Sequence, residues 1–542
     1  MVVTSELFAS DAGVEILQAG GNAVDAAVAV GFALAVTYPY AGNIGGGGFM
    51  LIRMATGDAA FIDYREEAPA AATRNMYLDA KGHVIPDASI VGARAVGVPG
   101  TVAGLALAEQ KYGKLGLARV MAPAIRLAAE GFPVSYALAR SLRGDRALLE
   151  KFEASRRIFL RDGKLYEPGE IFKQPELADT LRLIAATGPD GFYRGPTAQA
   201  LVDTMKKHGG LIALADLEQY RAKVREPIVG HFRGYTILSA PPPSSGGVAL
   251  VEMLNVLEPL DLSAPDSYHS IELMTETMRR AYADRAAYLG DSDFVPVPVK
   301  SLTSPDYAAK LRAEILASKP DSPVKAGLSQ APAEGGQTTH FSVVDAEGNA
   351  VSNTYTLNAG YGSGVTVEGA GFLLNDEMDD FASKPGVPNM FGLIQSEANA
   401  IAPHKRPLSS MTPTIVLADA GGSSPRAGQS SSPQRVRLVL GSPGGGTIIN
   451  TVLEVLLNVL AFKMDVREAV TAPRFHHQWM PDVLQMEEWG FSADTIDKLK
   501  EAGYKVQVRG RIGECQAITV DPETQWRFGA ADPRGDGKAA GY

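Results

Sequence analysis

The chain has 542 residues, of which 45% are hydrophobic and 21% charged, and its formal net charge is −10. A length above one ordinary domain, with a globular composition, excludes collagen, coiled coil and wholesale disorder. The acidic balance argues against a general nucleic-acid binder, and the one cysteine, Cys515, excludes an internal disulfide framework and a cysteine-rich metal site.

In chain order, the N-terminal third reads as helices punctuated by glycine. Asn22 and Asp25 mark the start of an Ala/Val-rich run to Val36, which predicts a buried helix. Its apolar stretch, 26–36, is well short of the ~20 residues of a membrane span. No basic segment with an apolar core precedes Asp11, so no signal peptide is expected. Gly45 to Gly48 then precede a predicted strand at 49–53. Four consecutive glycines predict positive φ or a close backbone approach, with tight packing under a sheet as the plainer reading.

Helices are predicted at 101–112, 120–130, 175–187, 197–208, 248–257 and 267–289. Pro196, just before the fourth, suits a helix start. A strand at 235–239 runs into the rigid turn Pro241-Pro-Pro-Ser-Ser-Gly-Gly247. Residues 315–337 carry loop chemistry. At Thr338 the period becomes strand-like, with strands at 338–344 and 350–357 around a turn at 345–349. Pairing Val344 with Ala350 sets Thr338 opposite Thr356 on one face, and a slip of one residue breaks this. Strands at 414–418 and 435–440 flank a Ser/Gly-rich stretch, 421–433, which reads as a surface loop without an assigned role.

Several common catalytic machines are missing. No G-x-S-x-G elbow, P-loop, G-x-G-x-x-G fingerprint or H-E-x-x-H motif occurs. The one histidine doublet, His476-His477, has no third ligand nearby and reads as an ordinary polar pair beside Trp479. What remains is a hydroxyl nucleophile behind a loop. A threonine hydroxyl is weak without a base, and cutting the chain just before it frees an α-amine that serves as one. A Pro/Gly/Ala-rich loop ahead of a strand headed by threonine fits that solution, though loops before strands are everywhere.

Five blocks stand in order: Gly20-Gly-Asn-Ala-Val-Asp-Ala-Ala-Val28, Gly45-Gly-Gly-Gly-Phe-Met50, Pro241-Pro-Pro-Ser-Ser-Gly-Gly247, Thr338-Thr-His340 and Gly441-Ser-Pro-Gly-Gly445. With Asn375-Asp-Glu-Met-Asp-Asp-Phe381 and Arg406-Pro-Leu-Ser-Ser-Met411, they resemble γ-glutamyltranspeptidase over essentially the whole chain. The resemblance implies an α+β fold, the four-layer αββα sandwich of the N-terminal nucleophile hydrolases. It implies a precursor that cleaves itself between Gln337 and Thr338, giving a large subunit 1–337 and a small subunit 338–542. The γ-glutamyl group of glutathione, glutamine or a related amide would pass to water or to an amino acid or peptide acceptor, through an acyl-enzyme on Thr338.

Residue by residue, Thr356 matches the second threonine beside the nucleophile. Gly444 and Gly445 match the backbone N–H pair that stabilises the oxyanion. Arg65 matches the α-carboxylate clamp, with Ser409 and Ser410 adding hydroxyls. Asn358, Glu377 and Asp380 match the groups that take the α-ammonium. Residues 384–391 resemble a lid loop, with Phe391 where an aromatic gate is expected. It is Phe and not Tyr, so a hydrogen bond holding the lid closed would be missing. The resemblance implies no cofactor or metal, small-molecule partners only, no nucleic acid, and a periplasmic or secreted location. Two other readings stand beside it. A β-lactam side-chain acylase of the same superfamily is disfavoured by Asp380. An uncleaved, inactive relative is disfavoured by Thr338, Thr356, Arg65, Asp380 and the glycine turn together.

Overall fold

Two alternating runs around the turn at 345–349 form the predicted hairpin, Thr339–Val344 and Ala350–Thr356. Val344 pairs with Ala350 and Thr339 with Tyr355, so the continued register sets Thr338 opposite Thr356 as expected. The computed structural model describes residues 1–319, 322–324, 338–419 and 434–542. The expected cut after Gln337 and the stretch 421–433 lie outside the described residues.

The far side of Ala350–Thr356 pairs with Gly47–Arg53, a strand that starts inside the glycine cluster. These glycines are required by close approach and not by φ, since none of the four takes a positive value. A Cβ at Gly46 would lie 2.0 Å from the Thr356 carbonyl oxygen, and one at Gly48 2.4 Å from that of Thr354.

The hairpin belongs to a seven-stranded sheet. Its order is Lys538–Ala540, Val2–Thr4, Thr339–Val344, Ala350–Thr356, Gly47–Arg53, Ala59–Tyr64 and Lys223–Arg225. A six-stranded sheet runs Arg527–Ala531, Gln516–Val520, Gln434–Gly441, Thr414–Asp419, Tyr235–Ser239 and Ile228–Phe232. Both sheets mix strands from before and after residue 338. Val2–Thr4 pairs with Lys538–Ala540 on one edge and with Thr339–Val344 on the other.

Alternation decides what each sheet face meets. Phe341, Val343, Val351 and Tyr355 point into one core with the helices Leu7–Gln18, Ala23–Thr37 and Thr101–Tyr112. Ala23–Thr37 is buried along its whole length, as an all-round apolar helix must be. Asn22 caps it, accepting from the N–H groups of Val24 and Asp25, while Asp25 accepts from Asn22 N. The opposite face of the hairpin meets the second sheet. Val344 and Ala350 pack there with Leu438 and Leu440. Ser342 and Ser352 donate across the gap to the Gln516 and Leu440 carbonyls, at 3.0 and 2.9 Å. Helices Gly246–Leu257 and Ile448–Leu460 cover the second sheet's outer face, and Tyr268–Tyr288 packs on the former. The layers run helix, sheet, sheet, helix, which is the expected α+β four-layer αββα sandwich.

Element limits differ from expectation mainly at helix starts. The helices 101–112 and 175–187 form over the predicted residues. Gly195–His208 begins earlier than predicted, so Pro196 sits inside its first turn. Pro305–Ala317 runs into the predicted loop, which therefore begins at Ser318. Among the described residues, no helix is long and apolar enough to cross a membrane.

A buried carboxyl on Ile448–Leu460 makes stability depend on pH. Glu454 accepts from Phe475 N at 3.0 Å through Oε1, and its buried Oε2 has no partner among the described residues. Burial pushes its pKa from 4.5 up to about 8. The folded chain keeps this proton over a range where the unfolded chain has released it, so stability falls as pH rises across that window. Glu454→Gln removes this loss. Its melting temperature should decline less than that of the wild type between about pH 5 and about pH 9, followed by circular dichroism. Parallel declines would assign the proton to another group.

Candidate active site

Thr338 heads the hairpin strand at the end of the sandwich and is 5% exposed. It opens on a small cleft lined also by Arg65, Thr356, Asn358, Glu377, Asp380, Phe391, Ser409, Ser410 and Gly445. Of the residues expected at the site, Gly444 alone does not line the cleft, and it immediately precedes Gly445 in the same turn. Thr356 Oγ1 accepts from Asn358 N at 2.7 Å. Asn358 adopts a left-handed φ of 81° and donates through Nδ2 to the Asp376 carbonyl at 3.1 Å. That φ suits asparagine better than most residues.

Arg65 directly follows the strand Ala59–Tyr64 and is fully buried. Its Nε donates to the Pro407 carbonyl at 3.2 Å, and its two Nη groups pair with Glu377 and Asp380. The expected carboxylate clamp and the expected ammonium acceptors thus neutralise each other in this arrangement. Glu377 lies in the single turn Glu377–Asp380, fixed by Asn375, whose Oδ1 accepts from Glu377 N at 3.0 Å. Burial holds the Glu377 carboxyl well above the usual carboxylate range, against the pull of Arg65.

The glycine turn lies opposite. Gly444 has φ 136° and Gly445 φ 56°, and the helix Ile448–Leu460 follows directly. Both backbone angles favour glycine. Thr447 Oγ1 donates to the Gly444 carbonyl at 2.9 Å, and the Tyr282 hydroxyl donates to that of Gly446. The positive end of a helix dipole therefore stands behind the turn. A threonine hydroxyl, a glycine turn able to present N–H groups, and a paired set of opposite charges share one cleft.

The Gamma-glutamyltranspeptidase family model matches residues 9–542. The chain belongs to the γ-glutamyltranspeptidase family. It is 48% identical over 548 aligned residues to the protein of Escherichia coli (strain K12) named glutathione hydrolase proenzyme, covering 100% of this chain and 92% of that one. The crystal structure of cephalosporin acylase from Bacillus halodurans superposes with a TM-score of 0.86 at 29% identity, covering 100% of this chain and 95% of that one. Helicobacter pylori γ-glutamyltranspeptidase gives a TM-score of 0.57 at 47% identity, covering 59% of this chain and 91% of that one.

Around the candidate site of this γ-glutamyltranspeptidase family member stand Glu66 and Tyr220, which sequence reading does not single out, and Arg406 and the turn at 241–247, to which it gives no role. Glu66 lies 3.7 Å from Arg65 Nη1, and burial pushes its carboxyl up to about 7 despite that neighbour. Its signal is the charged run Asp63-Tyr-Arg-Glu-Glu67 at the end of a buried strand. Arg406 pairs with Asp63 at 2.5 Å and with Glu67 at 3.0 Å, tying the Arg65 segment to the Ser409-Ser410 loop. Tyr220 adds a hydrogen bond from its hydroxyl to the Arg65 carbonyl at 2.8 Å. The turn at 241–247 acts as a buttress, since Ser245 donates to the Ser409 carbonyl from N at 2.8 Å and from Oγ at 2.7 Å.

Phe391 lies on the glycine turn, 3.0 Å from where a Cβ on Gly445 would stand. The loop that carries it is held without a hydroxyl on that ring. Gln478 Nε2 donates to the Phe391 carbonyl at 3.1 Å, and Asn389 Nδ2 to Asp380 Oδ1 at 3.1 Å. His476 supports Gln478, with Nε2 2.9 Å from Gln478 Oε1 and Nδ1 2.7 Å from Asn450 Nδ2. Burial pulls His476 down to about 3, so it stays neutral. His477 Nε2 faces Asp482 Oδ1 at 3.1 Å. The doublet is buried and structural.

Proposed function

We propose that Thr338 becomes the N-terminus of a small subunit, 338–542, held against a large subunit, 1–337, and acts as a γ-glutamyl-transferring nucleophile. Its Oγ attacks the γ-carbonyl of glutathione, glutamine or a related amide, and its own α-amine takes the hydroxyl proton. The N–H groups of Gly444 and Gly445 meet the negative oxygen of the tetrahedral intermediate. Collapse expels the amine, which takes back the proton, and leaves a γ-glutamyl ester on Thr338. Water then releases glutamate, or an amino acid or peptide amine takes the γ-glutamyl group. Thr356, opposite Thr338 in the continued register, orients the nucleophile. No step calls for a metal or an organic cofactor.

The observation that carries this reading is the charge set beside Thr338. One guanidinium and two carboxylates complement an α-carboxylate and an α-ammonium on the same carbon. A zwitterion enters by exchanging partners: its carboxylate takes Arg65 with Ser409 and Ser410, and its ammonium takes Glu377, Asp380 and Asn358. Such exchange keeps every buried charge paired. An exported location, periplasmic or secreted, goes with this reading, and cell fractionation tests it.

Superposition of the whole chain on a cephalosporin acylase favours a second reading, in which the acyl group lacks the α-amine. Asp380 and Glu377 weigh against it, because a glutaryl group would leave them facing no cation. Wild-type enzyme should therefore hydrolyse γ-glutamyl-p-nitroanilide with a kcat/KM about 100-fold or more above that for glutaryl-p-nitroanilide. A preference for the glutaryl compound would establish the acylase instead.

A further inference from the structure

Arg285 lies within the helix Tyr268–Tyr288, is 2% exposed, and donates to hydroxyls and to no carboxylate among the described residues. Its Nε donates to Ser245 Oγ at 2.9 Å and its Nη2 to Ser410 Oγ at 3.1 Å. Its Nη1 is buried without a hydrogen-bond partner among the described residues. A buried guanidinium without a directly paired carboxylate is costly, and such groups cluster where they act on a ligand.

Ser410 lines the cleft with Thr338 and Arg65. A serine hydroxyl carries one hydrogen and two lone pairs. Arg285 occupies a lone pair of Ser410, and Met411 N occupies one of Ser409 at 3.1 Å. Neither hydroxyl hydrogen meets a protein acceptor among the described residues, so both remain for an incoming anion. Arg65, the other guanidinium of the site, is paired directly with Glu377 and Asp380. Arg285 has no ion pair of its own among the described residues, and Asp380 attracts it, and Arg65 repels it, only through space.

We infer that Arg285 is a positioning residue for the acyl donor, occupying an acceptor site of Ser410 so that its hydroxyl hydrogen points to the α-carboxylate. The inference deepens the γ-glutamyl reading and rests on it. It also gives the turn at 241–247 a task, since Ser245 holds the same guanidinium at Nε.

Two donors separate this role from a structural one: γ-glutamyl-p-nitroanilide, and 4-aminobutanoyl-p-nitroanilide, which lacks the α-carboxylate. The second is measured as a competitive inhibitor where its turnover is slow. Arg285→Lys should raise KM for the γ-glutamyl compound about tenfold or more, with kcat within about threefold. The constant for the 4-aminobutanoyl compound should not move. In a Ser410→Ala background the same substitution should add less than about twofold, because its route to the ligand is gone. Equal losses on both compounds, or additive losses in the double variant, overturn the inference. Should Arg285→Lys fail to fold or to cleave, Ser245→Ala serves in its place. It removes one of the two contacts on the guanidinium together with the Oγ bond to the Ser409 carbonyl, and should raise KM about threefold for the γ-glutamyl compound alone, with that rise lost in a Ser410→Ala background if it acts through Arg285; unchanged selectivity, or a rise that persists without Ser410, overturns the inference. A wild type that prefers the glutaryl anilide overturns the functional reading and this inference together. A γ-glutamyl-preferring wild type with unselective variants overturns the inference alone.

Discussion

Thr338→Ala should leave one chain of 542 residues that stays intact on long incubation, where the wild type resolves into 1–337 and 338–542. Intact mass under denaturing conditions reads both outcomes. Activity on a γ-glutamyl anilide should fall by about 10⁴-fold or more, because alanine has no oxygen for either cleavage or acyl transfer. Thr339 cannot substitute. Successive strand residues face opposite sides of the sheet, and Thr339 Oγ1 lies 3.3 Å from Ser5 Oγ, away from the cleft. The ladder from Thr339 to Val344 is untouched, so the variant should melt within a few degrees of the wild-type precursor. Cleavage at the same bond in the variant would remove Thr338 from the mechanism. A wild type that never cleaves would point to the inactive relative.

Gly444→Ala should lower kcat about 10²–10³-fold with little change in KM, the pattern of a lost transition-state contact. At φ 136° an L-residue is strained. The new Cβ would also stand 2.3 Å from Thr447 Oγ1, which is itself hydrogen-bonded to the Gly444 carbonyl. The turn has to move, and its N–H groups move with it. Gly510→Ala is the control, since a Cβ there meets nothing within 4 Å. Steady-state kinetics on the two variants decide the point. A raised KM with unchanged kcat would make the turn a substrate-binding element and not an oxyanion site.

The hairpin register is legible in sequence because a short polar turn separates two alternating runs, and a slip of one residue would turn every buried side chain outward. The residues expected at the site are legible as short motifs, and the structure brings all of them but Gly444 together at the cleft wall. What the sequence hides is long-range pairing. Nothing local says that Arg65 is already paired with Glu377 and Asp380, both more than 300 positions away. Arg285 is harder still. It stands in a helix that also carries Arg279 and Arg280, and all three are buried, which nothing in the local sequence announces. Its partner Ser410 is 125 positions away in the chain. Helix starts are missed for a smaller reason. Pro196 reads as the residue just ahead of the helix, yet a first helical turn has no hydrogen bond for proline to remove, so it sits inside that turn.

Interleaving of the two halves in one sheet changes the order of the folding reaction. Val2–Thr4 is flanked on both sides by strands from beyond residue 338. Before the cut, every strand is delivered by one polymer, and refolding is first order. If the chain is divided at residue 338 as proposed, the same sheet has to be assembled by collision of two partners, neither of which owns a complete set of neighbours. Refolding then slows on dilution, and the mature form persists through its barrier to unfolding more than through any ready return.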